Sequence, residues 1–173
     1  LIHSMSASTS NFESLEKKSA ENFRDVIQQT DVKQVIYLSG IINNKELSKH
    51  LSSRKAVEEV LGTGSYQLTT LRAGIVVGSG SASFEIIRDL VEKLPVMVAP
   101  RWLNTKTQPI AVQNVIEFLT RVQLKKYTYN KSFDIGGPDI LTYKEMLLLF
   151  AGVRNLKRRI FIVPVMTPKL RSE

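Results

Sequence analysis

The chain has 173 residues, 43% of them hydrophobic, and it contains no cysteine. A chain of this length and composition can bury a core of its own, which excludes a disordered chain and a disulfide-stapled miniprotein. Without thiolates, and with only two histidines, the sequence argues against a metal site. No apolar run approaches the roughly 20 residues of a membrane-spanning helix, so we expect a cytoplasmic protein with no membrane partner.

The formal net charge of +8 raises the question of a nucleic-acid partner. Lysine and arginine are scattered through the helical segments, and their densest cluster is Arg154, Lys157, Arg158 and Arg159. Such a distribution is typical of solvated surface, and we expect no nucleic-acid partner. The chain starts at Leu1 within an apolar stretch, which we interpret as the cut edge of a longer parent protein.

Strand-like and helix-like segments alternate through the first half of the chain. Residues 1–3 resemble the end of a buried strand, and residues 12–29 have apolar side chains at helical spacing. A β-rich segment at 34–38 closes on Ser39 and Gly40, and a helix is predicted at 45–61, ending at Gly62.

The alternation continues through the second half. Ser81 is placed to cap a helix, and Thr142 forms a capping box with Glu145 at the start of another. The remaining predicted elements are strands at 67–71, 96–98, 132–135 and 160–163, an extended piece at 108–112, and helices at 82–93, from 112 to about 123 and from 142 to about 151. This order predicts an α/β fold, and no linker or repeat indicates a second domain.

Two glycine pairs are candidates for a phosphate-binding turn. The segment 78–80 follows a strand but lacks a third glycine, and a turn that caps the next helix explains it equally well. The segment 62–64 ends a helix, where glycine is a common cap. The chain therefore lacks the glycine loop that binds the pyrophosphate of a dinucleotide.

Four segments, taken in order, resemble the extended and atypical short-chain dehydrogenase/reductases, which include the NAD-dependent epimerase/dehydratase type. They are the strand 35–39 ending in Ser39, the strand end 71–78 with Ala73 where proline is usual, the segment 108–115, and the strand and glycine turn 133–138 followed by the capped helix at 141–146. The resemblance extends from Leu1 to about Pro164.

The resemblance implies a Rossmann-like, doubly wound, mostly parallel sheet that is N-terminally truncated and carries a small substrate-side cap. The whole chain, 1–173, would be the C-terminal part of one NAD(P)-binding domain. About 1–78 would be the remaining nucleotide-binding core, and about 79–173 mixed core and cap. In relatives, the helices that correspond to 13–29 and 45–61 commonly pack in a homodimer.

The resemblance also implies a dinucleotide, NAD or NADP, bound by the full-length parent and weakly or not at all by these residues alone. The protein would be an oxidoreductase or epimerase acting on a small carbonyl or sugar-type substrate. The alternatives are a non-catalytic nucleotide-sensing or assembly module, and an interaction scaffold without nucleotide.

The candidate catalytic residues are Ser39, His50 and Arg54. The alignment puts His50 where the family has its acid/base tyrosine, and Arg54 where it has the lysine that lowers the tyrosine pKa and binds ribose. Because His50, Arg54 and Glu58 recur every four residues, they could equally form a solvated stripe in which Arg54 pairs with Glu58.

The candidate cofactor-binding residues lie at strand ends. They are Ser4, Met5, Ser39, Gly40, Arg54, Arg72, Ala73, Gly74 and Ile75. A simple surface connection is the alternative for Ser4 and Met5, and a capped turn is the alternative for Ser39.

Overall fold

Helices and strands alternate along the chain in the computed structural model, which describes residues 12–41 and 49–164, with only the backbone of Lys49 and His50. The chain divides into two compact units. The first holds the residues up to Gly74 together with Gln113–Ile135, and the second holds Ile75–Val112 and the residues from Gly136 onward. The predicted division near residue 78 into core and cap remains a prediction.

Among the described residues, the first unit is built on a parallel three-stranded sheet in the order β1-β2-β7, and the strand predicted at 1–3 lies outside those residues. Its elements are α1 (Phe12–Ile27), β1 (Gln34–Gly40), α2 (Lys49–Leu61), β2 (Gln67–Ala73), most of α4 (Val112–Arg121), a 3₁₀ turn (Lys126–Thr128) and β7 (Lys131–Ile135). Gly40, Ala73 and Ile135 are paired in register, so the three strands end at one edge. Ligands of open parallel sheets bind at this edge.

Helices α1 and α2 cover one face of this sheet. Ala20 on α1 is fully buried and packs with Val57 and Leu61 of α2 against Val35 and Leu68 of the strands. Burial of these side chains is the main stabilising contribution on this face, because each apolar side chain removed from water contributes about 1.5–3 kcal/mol.

The α4 segment lies on the opposite face. Gln34 alternates with Val35 along β1, so its side chain points away from α1 and α2. Its amide donates to the Val122 carbonyl at 3.1 Å, and Thr69 of β2 donates to the Thr128 carbonyl at 3.0 Å. Helical segments on both faces of a parallel sheet confirm the predicted doubly wound α/β class.

As far as residue 164, the second unit contains three two-stranded pairings. Its elements are β3 (Val76–Val77), α3 (Ala82–Lys93), β4 (Val96–Pro100), a 3₁₀ turn (Arg101–Asn104), β5 (Lys106–Thr107), β6 (Ile110–Ala111), β8 (Leu141–Thr142), α5 (Tyr143–Val153) and β9 (Arg159–Val163). The pairs β3–β6 and β4–β9 are parallel, whereas β5–β8 is antiparallel. Its core packs Val91 of α3 and Ala151 of α5 against Met97 and Ile160 of the strands.

Both predicted helix caps are confirmed in the second unit. The Ser81 hydroxyl accepts from the Phe84 N–H at 3.4 Å, and Thr142 and Glu145 form a complete capping box. The structure differs from the prediction at element ends and in the short strands β5 and β8, which were not predicted. The segment 67–71 continues in strand conformation to Ala73, and α4 ends at Arg121 rather than near residue 123.

Two residues of the basic cluster bind groups on α3, so the cluster is not solvated surface alone, as the sequence had suggested. Arg158 donates to the carbonyls of Val91 and Glu92 in the last turn of α3, and Arg154 pairs with the Glu92 carboxylate at 3.2 Å. Cations stabilise a helix C-terminus because the last carbonyls there lack intrahelical partners.

No helix within residues 12–41 and 49–164 is both long and apolar enough to cross a bilayer.

Candidate functional site

The carboxyl edge of the β1-β2-β7 sheet carries an unusual buried hydroxyl, that of Ser39. Its side chain is only 2% exposed, and Oγ has no hydrogen-bond partner among the described residues. A buried hydroxyl left unpaired costs about 1–3 kcal/mol, so folded proteins seldom keep one without a use. Within the described part of the chain, Ser39 therefore has an unpaired hydroxyl at the edge where open parallel sheets bind their ligands.

Helix α2 approaches the end of β1 closely at Gly40. A Cβ added at this glycine would lie 3.0 Å from Leu51 Cδ2 and 3.8 Å from Arg54 Cδ. The missing side chain therefore lets α2 pack on the strand end, and the aliphatic stem of Arg54 lies beside Gly40. The stem of Arg54 thus lies next to the residue that follows Ser39, and a shared site of Ser39, Gly40 and Arg54 remains a prediction.

Glu58, one turn after Arg54, is paired elsewhere. Its carboxylate accepts from Arg72 Nη2 at 2.8 Å and Nε at 3.2 Å, and from the Ser132 hydroxyl at 2.7 Å. The alternative of an Arg54–Glu58 pair is therefore wrong. No carboxylate of the described residues forms a salt bridge with Arg54.

Sequence reasoning missed Tyr37, which lies two residues before Ser39 on β1. Burial raises the pKa of the Tyr37 phenol, whereas Ser39 and Arg54 lower it and Glu16 and Glu58 raise it. The signal was available, because alternation along a strand puts residues 35, 37 and 39 on one face. An aromatic hydroxyl on the face of the strand serine could have been singled out.

The remaining candidate residues are placed as follows. Arg72 directs its guanidinium at Glu58, and the Ala73 carbonyl accepts from the Ile41 N–H at 3.1 Å. Gly74 is the exposed residue after β2, and Ile75 begins the second unit. Ser4 and Met5 lie outside the described residues, as does the side chain of His50.

Solved structures with the same fold are numerous. An epimerase from Methanothermobacter thermautotrophicus superimposes with a TM-score of 0.75 at 9% identity, over 90% of this chain and 54% of its own. A short-chain dehydrogenase/reductase superfamily protein from Agrobacterium tumefaciens with bound NAD gives 0.71 at 10% identity, over 94% of this chain and 66% of its own. UDP-glucose 4-epimerase from Thermus thermophilus in complex with NAD gives 0.68 at 14% identity, over 86% and 57%.

These comparisons show that the chain has the Rossmann-type fold of the short-chain dehydrogenase/reductases. The resemblance inferred from the sequence is thereby confirmed for the fold. The chain spans between 54% and 66% of the length of these three structures. No protein-family model matches the sequence, and no curated protein sequence matches it.

Proposed function

We propose that this chain supplies the nicotinamide-ribose side of an NAD(P) site in a protein of the short-chain dehydrogenase/reductase type. Ser39, Gly40, Arg72 and Ala73 lie at the carboxyl ends of β1 and β2, the edge where ligands of such sheets bind. Two proteins of the same fold have NAD bound, and this supports NAD(P) as the ligand in the proposal.

The observation that carries the proposal is the buried hydroxyl of Ser39, which has no partner among the described residues, at the strand end where the stem of Arg54 lies beside Gly40. A serine hydroxyl can donate one hydrogen bond and accept two, and a guanidinium offers five donors. Within the ranges that the structure describes, Arg54 has no carboxylate partner, which leaves its donors available for ribose oxygens.

We propose further cofactor contacts at the end of β2 and in the segment that contains Ser4 and Met5. Arg72 would contribute through its backbone, because its guanidinium is held by Glu58. Ala73 and Gly74 close β2, and Ser4, Met5 and Ile75 complete the proposed set.

Bound NAD(P) would accept or donate a hydride, and we propose a small carbonyl or sugar-type substrate for oxidation, reduction or epimerisation. Ser39 would hold the reacting oxygen and His50 would exchange its proton near neutral pH. We propose a cytoplasmic location as well, since the sequence has no cysteine.

A non-catalytic nucleotide-binding module is the second candidate, and Arg54 favours it. An arginine stays charged at every physiological pH, so it cannot take all the roles of a lysine at this position. We therefore expect dinucleotide binding with little dehydrogenase turnover. Robust turnover that disappears in His50→Phe would instead establish His50 as a working acid/base.

Isothermal titration calorimetry with NAD(H) and NADP(H) tests the binding proposal. We expect Arg54→Gln to weaken affinity at least tenfold, about 1.4 kcal/mol, because a charge-assisted hydrogen bond is lost. Arg121→Gln, on the exposed surface of α4, should leave affinity unchanged.

The 173 residues should bind far more weakly than the full-length parent, because they hold no pyrophosphate-binding glycine turn. A full-length protein without saturable binding would refute the proposal.

We also propose that the protein forms a homodimer through α1 and α2. Leu15 and Val26 of α1 are 36% and 63% exposed, although both are large and apolar. A face of this kind is stabilised when a partner covers it. Light scattering of the full-length protein would contradict the dimer if the mass stays that of a monomer at high concentration.

A further inference from the structure

An open cavity of about 500 Å³ lies in the second unit, at the start of β4 and β9 and beside the last two turns of α5. Its volume falls within the range of about 300–1,000 Å³ that is typical of small-molecule sites. The residues that line it are apolar, glycine or basic, and none of them is acidic. It shares no residue with the proposed dinucleotide site.

The apolar part of the lining comes from both strands and helix. Val96 and Leu148 are 53% and 38% exposed although both are large and apolar, whereas Ala151 and Leu156 are more deeply buried. Removal of such apolar surface from water favours association, so the lining favours a ligand with an apolar part.

Three consecutive basic residues, Lys157, Arg158 and Arg159, line the same cavity. Arg158 is already engaged, because its guanidinium donates to backbone carbonyls at the end of α3. Lys157 and Arg159 are exposed, and neither forms a salt bridge within the described part of the chain. A cleft lined by charge of one sign attracts ligands of the opposite sign, so these two cations favour an anionic group.

Backbone hydrogen bonds fix the walls of the cavity. The Leu156 N–H donates to the Ala151 carbonyl at 2.8 Å, and the Arg159 N–H donates to the Pro95 carbonyl at 3.2 Å. Val96 and Arg159 are also partners in the parallel β4–β9 register. A ligand therefore meets apolar and basic walls that are already in place, and it loses little affinity to their ordering.

We propose that this cavity binds an amphiphilic anion, a small molecule with an apolar chain and a carboxylate at one end. The chain lies against Leu148, Ala151 and Leu156, and the carboxylate meets Lys157 and Arg159. A short anion without the chain binds weakly, because water and salt screen exposed charges. A cationic amphiphile of the same length is disfavoured, because it places like charges together.

Calorimetry of the full-length protein with decanoate tests the chemistry of the ligand. We expect saturable binding of a single decanoate per chain. Butyrate, which has the same carboxylate on a shorter chain, and decyltrimethylammonium, which has a cationic head, should each bind more weakly by about tenfold or more. The inference is overturned by an absence of saturable decanoate binding, or by equal affinity for the cationic amphiphile.

Gly152 allows a test of the location. It lines the cavity, and a Cβ added to it would meet no atom within 4 Å, so Gly152→Leu can fill the space without displacing α5. Because leucine also favours a helix more than glycine does, thermal unfolding should show no loss of stability. Decanoate affinity should fall by about tenfold or more, whereas Val153→Leu, at a 79% exposed position outside the lining, should change it less than twofold. Unchanged affinity in Gly152→Leu would place decanoate elsewhere and refute the inference.

A second variant tests the two cations without altering the shape of the cavity. The double change Lys157→Gln and Arg159→Gln should weaken decanoate binding by about tenfold or more and reduce its dependence on salt. The matched control is Lys125→Gln with Lys126→Gln, two exposed lysines of the first unit, which should change affinity less than twofold. Equal losses in the two double variants, or no loss in the first, would exclude Lys157 and Arg159 as the anion-binding groups and overturn the inference.

Discussion

Arg72 on β2 and Glu58 on α2 form a two-point salt bridge, with Nη2–Oε1 and Nε–Oε2 distances of 2.8 and 3.2 Å. The bridge joins the last turns of α2 to the carboxyl end of β2, and Ser132 extends it to β7. Glu58 therefore pairs with Arg72 and not with Arg54, which lies four residues earlier on α2. Among residues 12–41 and 49–164, no salt bridge involves Arg54.

We expect Glu58→Gln to lower the free energy of unfolding by about 2 kcal/mol, because it weakens two charge-assisted hydrogen bonds at a partly buried site. The side chains of Arg72 and Glu58 are 28% and 13% exposed, and both line an open cavity of about 440 Å³, so water moderates the effect. Urea unfolding measures it. Glu117→Gln, which breaks an exposed bridge to Arg121, is the control and should change stability by less than about 0.5 kcal/mol. Equal effects of the two changes would contradict the structural role of the bridge.

Gly137→Ala should destabilise the second unit by about 2 kcal/mol or more. A Cβ at this glycine would lie 2.3 Å from the Pro109 carbonyl oxygen, a backbone atom that cannot move without disturbing the hydrogen bond from Gly137 N–H to the same oxygen. Gly152→Ala, in α5 with nothing within 4 Å of the added Cβ, should instead stabilise by about 0.5–1 kcal/mol. Thermal unfolding should therefore shift in opposite directions, and a parallel shift would be inconsistent with this geometry.

Thr142→Ala should cost about 1 kcal/mol, because the hydroxyl caps the N-terminus of α5. The Thr142 backbone N–H and hydroxyl both donate to Glu145, and these bonds hold the pKa of that carboxyl below its ordinary value of 4.5. A lowered folded-state pKa contributes stability that is present above pH 4.5 and is lost as the pH falls through the folded value. Melting temperatures between pH 7 and pH 3 should therefore fall less steeply in Glu145→Gln than in wild type. Parallel pH profiles would exclude the capping box as a source of acid sensitivity.

Gln34→Leu should lower stability by about 2 kcal/mol, because its side chain ties β1 to the other face of the sheet. Its amide donates to Thr69 Oγ1 at 2.8 Å and to the Val122 carbonyl, and its Oε1 accepts from the Leu124 N–H at 2.5 Å. Removing it takes one hydrogen bond each from Thr69 Oγ1, the Val122 carbonyl and the Leu124 N–H, and a net contribution of about 0.5–1.5 kcal/mol is typical of each such bond. Gln123→Leu, an exposed neighbour, is the matched control, and denaturant unfolding should separate the two variants.

Local patterns in the sequence determined the α/β class, the longer helices and strands, and both helix caps. Alternating strand and helix periodicity is set by short-range burial, and the capping residues act within one turn of their own chain. For the same reason the strand that ends in Ser39 and the helix that carries Arg54 could be placed from the sequence.

Only the tertiary structure decided the partners of the charged residues on α2. Helical spacing alone suggested that Glu58 pairs with Arg54. The packing of α2 across β2 and β7 instead puts Arg72 and Ser132 within hydrogen-bond distance of the Glu58 carboxylate. The buried state of the Ser39 hydroxyl also depends on how the helices cover β1. Such contacts join residues far apart in sequence, and no local periodicity encodes which of several nearby charges will pair.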